Sequence, residues 1–345
     1  MDHNDRLRVG ITVGPSGHSG IGTYSRGLIW ALARRSDIDL VLVGDRECLD
    51  ATRSLFGGDR SADIDVTGPR VVAQFKVAML KRSLAQRDLD AMHVTGLVAP
   101  LRWSGPVVMT FHDDYPLTRR ADFDTAKRWL LPPIFRRSIR RASAIVTLDR
   151  NMADKARTLV LPEIPITDAG AAVSTSLETV TAVRPANAAD VGRYAIVVGD
   201  AGPRKRVDRL LSHWRSVTEQ CGVHLVIVGG RSADSRLLAM IEENPSVTLL
   251  SDVDDAGLAW LYQNTVLVLD SSEDEGFGFP RVEAEHFSAP YLALRSANSS
   301  LDWTAVVVDA CERPPIVDGR TGEMSWDDVA RRTVGVYRDA IERHG

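Results

Sequence analysis

Cysteine is scarce: the 345 residues carry three, Cys48, Cys221 and Cys311, far apart and without a CxxC pair. Separated thiols in odd number argue against a disulfide framework and against a structural zinc site, and fit a reducing compartment. Long apolar runs are also missing. None approaches the roughly 18 residues that a membrane-spanning helix needs, and the stretch MDHNDRLRVGITVG lacks the apolar region of a secretory signal. Neither sign of charge dominates, since 42 Lys and Arg stand against 46 Asp and Glu for a net charge of −4. A chain so balanced lacks the basic field of a general nucleic-acid binder. No fixed short repeat and no low-complexity tract occurs. What remains is an ordinary globular composition, 44% hydrophobic and 26% charged, in a length that suits about two domains.

Short, nearly continuous apolar runs alternate with helix-like stretches. The runs are 7–13, 39–43, 91–94, 106–111, 144–148, 194–198, 224–228, 247–250 and 266–269. Continuous rather than alternating apolar character predicts parallel strands buried on both faces. Helices are expected over 23–34, 207–220, 232–243 and 255–264, which makes a parallel sheet with helical crossovers. The alternation pauses at 174–190, STSLETVTAVRPANAAD, small, polar and weakly periodic, which reads as a linker. Five or so strands precede it and four or so follow. Open α/β sheets bind ligands at the carboxyl ends of their strands, so two Rossmann-like domains facing each other across a cleft follow.

The segment 271–285, SSEDEGFGFPRVEAE, follows a strand and opens a helix at Pro280, where proline suits the first turn. Gly276 and Gly278 permit close backbone approach, and a helix start offers partial positive charge and N–H groups to a phosphate. Glu275 and Glu283 bring two carboxylates, one suited to the transferred group and one to ribose hydroxyls. The plain alternative is a glycine turn before a solvated acidic helix. In GDAGPRKRVDRLL, 199–211, Arg204 and Lys205 precede a helix and can neutralise charge on a leaving diphosphate; a surface cluster of basic residues is the alternative. PVVMTFHDDYPL, 106–117, sets His112 at the end of a strand, where it can bond a hydroxyl or hold charge near pH 7, or be a structural histidine partnered by Asp113. The GHSGIGT loop, 17–23, is not a dinucleotide fingerprint: Gly20 and Gly22 are followed by Ser25 where GxGxxG needs glycine. In 127–141, KRWLLPPIFRRSIRR, apolar and basic residues mix. Such a stretch can lie on an anionic membrane or be a helix packed on its own sheet with arginines reaching outward, and Pro132 and Pro133 are expected to interrupt it.

Glu275-Gly-Phe-Gly-Phe-Pro-Arg-Val-Glu283-Ala-Glu resembles the E-x7-E signature of the family-4 glycosyltransferases, usually written EGFGLPxLEAMA. The 199–211 segment, the HLVIVG run ending at Gly229, DAGLAWLY at 255–262 and the Thr-x-His-Asp of 110–113 are similar to family elements in the same order, from about Leu7 to about Asp309. The resemblance implies a GT-B fold, with 1–180 as the acceptor-side domain, 181–326 as the nucleotide-sugar domain and a helix over 327–345 that reaches back toward the first. It implies transfer of a hexose or deoxyhexose from a nucleoside-diphosphate sugar (GDP-, UDP- or dTDP-linked) to a glycan, lipid-linked intermediate or natural product, with retained anomeric configuration, no metal and no further cofactor. It places Glu275 by the donor sugar, Glu283 on the ribose, Arg204 and Lys205 on the diphosphate, His112 at a sugar hydroxyl, and Gly20, Gly22, Gly199, Gly229, Gly276, Phe277 and Gly278 around the donor. The enzymes it resembles often build polysaccharides, and a cytoplasmic setting follows, with peripheral contact at the inner membrane face if 127–141 docks. Asp252-Val-Asp254 has the letters of a metal motif but falls in a scaffold segment. Of three departures, one is the short tail after Asp309 and two touch the site. Asp200 replaces a basic residue common after that glycine, and AEHFSAP replaces AMACGTP after Glu283. They keep open a catalytically impaired sugar-nucleotide-binding subunit. A same-fold enzyme working in the phosphorolytic or synthase direction is a nearer alternative, and a nicotinamide-dependent oxidoreductase is disfavoured by the broken glycine spacing.

Overall fold

The structure is a computed structural model that describes residues 6–14, 19–54, 63–65, 77, 88–123, 125–188, 191–230, 233–294, 302–316 and 324–345. The chain forms two compact units, Met1–Ala172 together with Met324–Gly345, and Val173–Glu323.

Unit 1 is built on a seven-stranded sheet of order β3-β2-β1-β4-β5-β6-β7. Its strands are β1 (Leu7–Thr12), β2 (Ile38–Gly44), β3 (Ile64–Asp65), β4 (Ala91–Val94), β5 (Val107–Phe111), β6 (Ala144–Thr147) and β7 (Ile166–Asp168), and all neighbours pair in parallel. Every residue of β4, β5 and β6 is buried, the burial that the unbroken apolar runs predict. Strand order reverses between β1 and β4, the place where open α/β sheets present their ligand-binding ends.

Among the described residues, the helices of eight or more residues in this unit are α1 (Gly20–Ala33), α2 (Arg46–Arg53), α3 (Thr125–Arg141), α4 (Arg150–Arg157) and the last described helix, α10 (Trp326–Glu342). Helix α10 starts at a reciprocal cap in which Ser325 Oγ accepts from the Asp328 N–H while the Asp328 carboxylate accepts from the Ser325 N–H. It buries Trp326, Val329, Ala330, Thr333, Val334 and Tyr337, a three-and-four spacing that gives one apolar stripe. The stripe packs on α1 and on β4, β5 and β6. The contact is close: a Cβ on Gly27 of α1 would lie 2.1 Å from Trp326 Cε2, so only glycine fits. Tyr337 Oη lies 2.6 Å from His93 Nδ1, whose Nε2 is 2.8 Å from Thr110 Oγ1.

Unit 2 carries a five-stranded sheet of order β10-β9-β8-β11-β12, again all parallel. Its strands are β8 (Tyr194–Gly199), β9 (His224–Gly229), β10 (Val247–Leu250), β11 (Leu267–Asp270) and β12 (Tyr291–Ala293). Its longer helices are α5 (Val207–Cys221), α6 (Ser235–Glu242), α7 (Asp255–Asn264), α8 (Phe279–His286) and α9 (Trp303–Glu312). One side of the sheet is filled by Leu210, Trp214, Val217, Trp303 and Val307, the other by Leu258, Leu261, Tyr262, Val282 and Ala284. Among the described residues no helix is long and apolar enough to cross a membrane.

Three features differ from the sequence reading. Strands β3, β7 and β12, of two or three residues, are too short to show an apolar run, and β7 and β12 are only partly covered. The 174–190 linker is part of unit 2 as far as it is described: Leu177 and Ala188 are buried in its core, the Val183 N–H donates to the Ala256 carbonyl at 3.1 Å, and Arg184 stacks over Trp260. Pro132 and Pro133 do not interrupt α3, which is continuous from 125 to 141. Each proline removes one intrahelical hydrogen bond, but Leu131, Phe135, Ser138 and Ile139 are buried around and beyond them and hold the helix to the unit.

Candidate functional site

In unit 2, β8 and β9 end in register at Gly199 and Gly229. Both have positive φ, +125° and +107°, and a Cβ on Gly229 would lie 2.5 Å from the Gly199 carbonyl oxygen. The two strand ends can turn side by side only with glycine there. After Gly199 the chain forms a 3-10 turn, Pro203–Lys205, and enters α5 through Arg206 in the left-handed region. This turn is stitched to the loop after β11. The Glu273 N–H donates to the Arg204 carbonyl at 3.0 Å, and Ser271 Oγ donates to the Lys205 carbonyl at 2.5 Å.

The stitching brings Glu275 against the basic pair. Arg204 Nη1 donates to Glu275 Oε2 at 2.8 Å and to the Asp274 carbonyl at 2.8 Å, and Lys205 Nζ donates to the same Oε2 at 2.9 Å. Ser272 Oγ lies 2.8 Å from that oxygen and 2.5 Å from Asp270 Oδ1, so one hydroxyl serves two carboxylates. Tyr291 donates to Asp270 Oδ2 at 3.1 Å. Burial alone would raise the Glu275 carboxyl, but the charges and hydrogen bonds of Lys205 and Arg204 outweigh it and hold the group down to about 2. Lys205 is itself only 9% exposed. Two cations, one of them buried, thus converge on a single carboxylate oxygen.

Three residues on, Gly278 caps α8 from the left-handed region, φ +80°. Pro280 has no N–H and the Arg281 N–H bonds the Gly278 carbonyl at 3.0 Å, so neither of these two first-turn positions has an amide left to face a ligand. Phe277 and Phe279 meet edge to face, 5.2 Å apart. Glu283, past that first turn, is buried, and its Oε2 accepts from Tyr262 Oη at 2.6 Å. Burial pushes the Glu283 carboxyl up to about 7; the Tyr262 hydrogen bond opposes this, Asp255 adds to it, and Lys205 opposes it from a distance. Asp254 is accounted for locally, since its side chain caps α7 by accepting from the Gly257 N–H at 2.8 Å. Asp200 is exposed.

In unit 1, Gly20 and Gly22 stand in the first turn of α1 rather than in a loop. Ser19 caps that helix by accepting from the Gly22 N–H at 3.1 Å; residues 15–18 lie outside the described residues. His112 follows β5 and is buried. Its Nε2 donates to the Thr95 carbonyl at 2.8 Å and its ring meets Tyr24 edge on at 5.3 Å. A carbonyl only accepts, so Nε2 carries the proton and Nδ1 the lone pair. Burial lowers the group to about 4. The expectation that it holds charge near pH 7 is therefore corrected: it is neutral there. Its partner is Thr95, while Asp113 accepts from the Tyr115 N–H at 3.0 Å.

Tyr262, Ser272 and Asp270 escaped the sequence reading. Tyr262 lies in a stretch that reads as scaffold, and a polar pair after a strand resembles any turn. Only the tyrosine itself, at the end of an otherwise apolar helix stripe, was a signal.

The description "Glycosyl transferase 4-like domain" matches residues 19–167, and "Glycosyl transferases group 1" matches 182–300; together they span most of the chain. No curated protein matches the sequence. Among solved structures, sucrose-phosphate synthase from Thermosynechococcus elongatus superimposes with a TM-score of 0.63 at 14% identity, covering 98% of this chain and 97% of that one. The Anabaena protein Alr3699/HepE in complex with UDP and glucose gives 0.63 at 14%, covering 98% and 99%. UDP-GlcNAc 2-epimerase from Methanocaldococcus jannaschii gives 0.62 at 11%, covering 96% and 100%. At such identities the likeness is one of fold.

Proposed function

Because the chain belongs to the GT-B glycosyltransferases of the family-4-like kind, we propose that its unit 2 binds a nucleoside-diphosphate sugar at the ends of β8 and β11 and that the sugar is transferred with retention and without a metal. The observation that carries this reading is the convergence of Arg204 and Lys205 on Glu275 beside the Gly278 turn. Two cations held by one carboxylate, next to backbone amides, suit a diphosphate whose charge grows as the sugar leaves. In this reading Glu275 stays ionised at the sugar, Glu283 accepts from ribose hydroxyls, and Gly199, Gly229, Gly276, Phe277 and Gly278 line the donor. Gly20 and Gly22 of unit 1 offer close backbone approach, and neutral His112 accepts a hydrogen bond from a sugar hydroxyl through Nδ1. The sugar is a hexose or deoxyhexose, and the acceptor a glycan, a lipid-linked intermediate or a natural product, as in polysaccharide biosynthesis. UDP, present in one of the structural neighbours, is the first nucleotide to try.

A thermal-shift screen with UDP, GDP, dTDP and NADH tests it. A matching nucleoside diphosphate at about 100 times its Kd raises the melting temperature by roughly 5 °C or more. Stabilisation by NADH alone overturns the reading. Transfer or hydrolysis of the corresponding sugar nucleotide must then be lost in Glu275→Ala; unchanged turnover removes Glu275 from its role, and binding without any turnover in the wild type favours the impaired subunit.

The acceptor side includes a candidate membrane contact on α3. Trp129 is 72% and Leu130 50% exposed, residues 125–141 hold no acidic residue, and Arg128, Arg136, Arg137 and Arg140 are exposed. Such a surface suits the anionic inner face of a membrane, and with it a cytoplasmic enzyme. Cosedimentation with phosphatidylglycerol vesicles at low salt, lost in Trp129→Ser/Leu130→Ser, is the expected result; equal sedimentation of the two proteins removes the contact.

A further inference from the structure

The two glutamates of the site are held by opposite means. Glu275 is pinned by two cations, whereas Glu283 meets one neutral donor, the Tyr262 phenol, at 2.6 Å. Tyr262 is fixed before any ligand arrives: it is 1% exposed, stands on α7 and stacks on Phe287 with ring centroids 5.5 Å apart and planes at 12°. Its hydroxyl reaches only Oε2, and among the described residues no donor meets Oε1. A buried carboxylate with one oxygen tied has one oxygen to give.

We propose that Tyr262 is a positioning residue for donor binding: its phenol holds Oε2 of Glu283 and so aims Oε1 at a ribose hydroxyl. The inference rests on the reading of Glu283 given above and goes beyond it in naming what orients the carboxylate. A phenol suits the task because burial keeps it protonated at any working pH, so it donates and never competes for the hydroxyl proton. A cation in its place would draw Glu283 into an ion pair like that of Glu275. The charged and titratable groups that face the pair are Asp255 on α7, Lys205 in the turn after β8 and Tyr291 on β12, and none of them makes a direct hydrogen bond to Glu283 among the described residues.

The test compares ribo- with deoxyribonucleotides, which differ only in the 2′-hydroxyl. Calorimetry at pH 8 measures UDP against dUDP and GDP against dGDP on the wild type, Tyr262→Phe, Glu283→Gln and the double variant. For the base that binds, the wild type is expected to prefer the ribo form about tenfold or more, the size of one hydrogen bond to a charged acceptor. The preference vanishes in Glu283→Gln and falls severalfold in Tyr262→Phe. The double variant matches Glu283→Gln in its affinity for each nucleotide, because the phenol acts only through the carboxylate; it also serves if Tyr262→Phe alone does not fold, and a further loss of ribonucleotide affinity there overturns the proposal. As pH falls, the preference fades around pH 7 in the wild type and about one unit higher in Tyr262→Phe, since the lost donor stabilised the charged form. A merely structural role weakens both nucleotides alike and leaves ratio and midpoint unmoved. If the wild type binds neither UDP nor GDP, or binds one of them without a preference for the ribo form, the 2′-hydroxyl is not what Glu283 holds and this inference is overturned. If the preference is lost in Glu283→Gln yet intact in Tyr262→Phe, only Tyr262 is wrong.

Discussion

Glu275 and Glu283 are the same residue type, eight positions apart, with opposite ionisation. Cations hold Glu275 down to about 2, and burial lifts Glu283 to about 7 from an ordinary 4.5. Each has its own consequence for stability. A raised folded value contributes stability that is complete below the unfolded value and is lost as pH rises through about 7. Unit 2 should therefore lose up to about 3 kcal/mol between pH 5 and pH 8 through Glu283, and Glu283→Gln should flatten the melting temperature over that range. The contribution of Glu275 is present above its unfolded value and is lost only as pH falls through about 2, so Glu275→Gln should leave the slope between pH 5 and 8 unchanged. Thermal melts at four or five pH values check both. At this scale the sequence named the glutamates and the basic pair but not their states, because a state depends on what lies within a few ångströms.

At the scale of elements, α1 and α10 meet with no room to spare. Gly27→Ala puts a methyl into the Trp326 ring, and neither a helix backbone nor a buried indole moves cheaply. A loss of about 1–3 kcal/mol is expected, read as a lower denaturant midpoint at constant slope. Tyr337→Phe should cost a similar amount by leaving His93 Nδ1 without its partner. The central strands and the long helices were legible because burial on both faces and a 3.6-residue period write themselves into neighbouring residues. Edge strands β3, β7 and β12 were not, since two or three residues carry no pattern. The prolines of α3 misled because local propensity argues for a break, and the buried residues around and beyond them decide otherwise.

For the whole molecule, the two units should answer acid with opposite signs. Unit 1 holds His93 and His112 neutral, lowered by burial to about 3 and about 4. Lowered values contribute stability present above the ordinary 6.5 and lost as pH falls, about 1–2 kcal/mol per histidine by pH 5. Unit 2 gains over the same interval through Glu283. Exposed Asp168 and half-buried His224 act the other way in their units but are less buried. Hydrogen exchange at pH 8 and pH 5, corrected for intrinsic rates, should show core amides of β4 and β5 less protected at pH 5 and those of β8 and β11 more protected; a common direction would refute the assignment. The order of elements, the parallel sheets and the residue types of the candidate site follow from the chain itself, because period, turn chemistry and motif spacing are local. That Trp326 of the last helix packs where Gly27 leaves no room for a Cβ, that His112 is neutral, and that Tyr262 and Ser272 meet the two glutamates was decided by the tertiary structure, since burial and hydrogen-bond partners come from residues far apart in sequence.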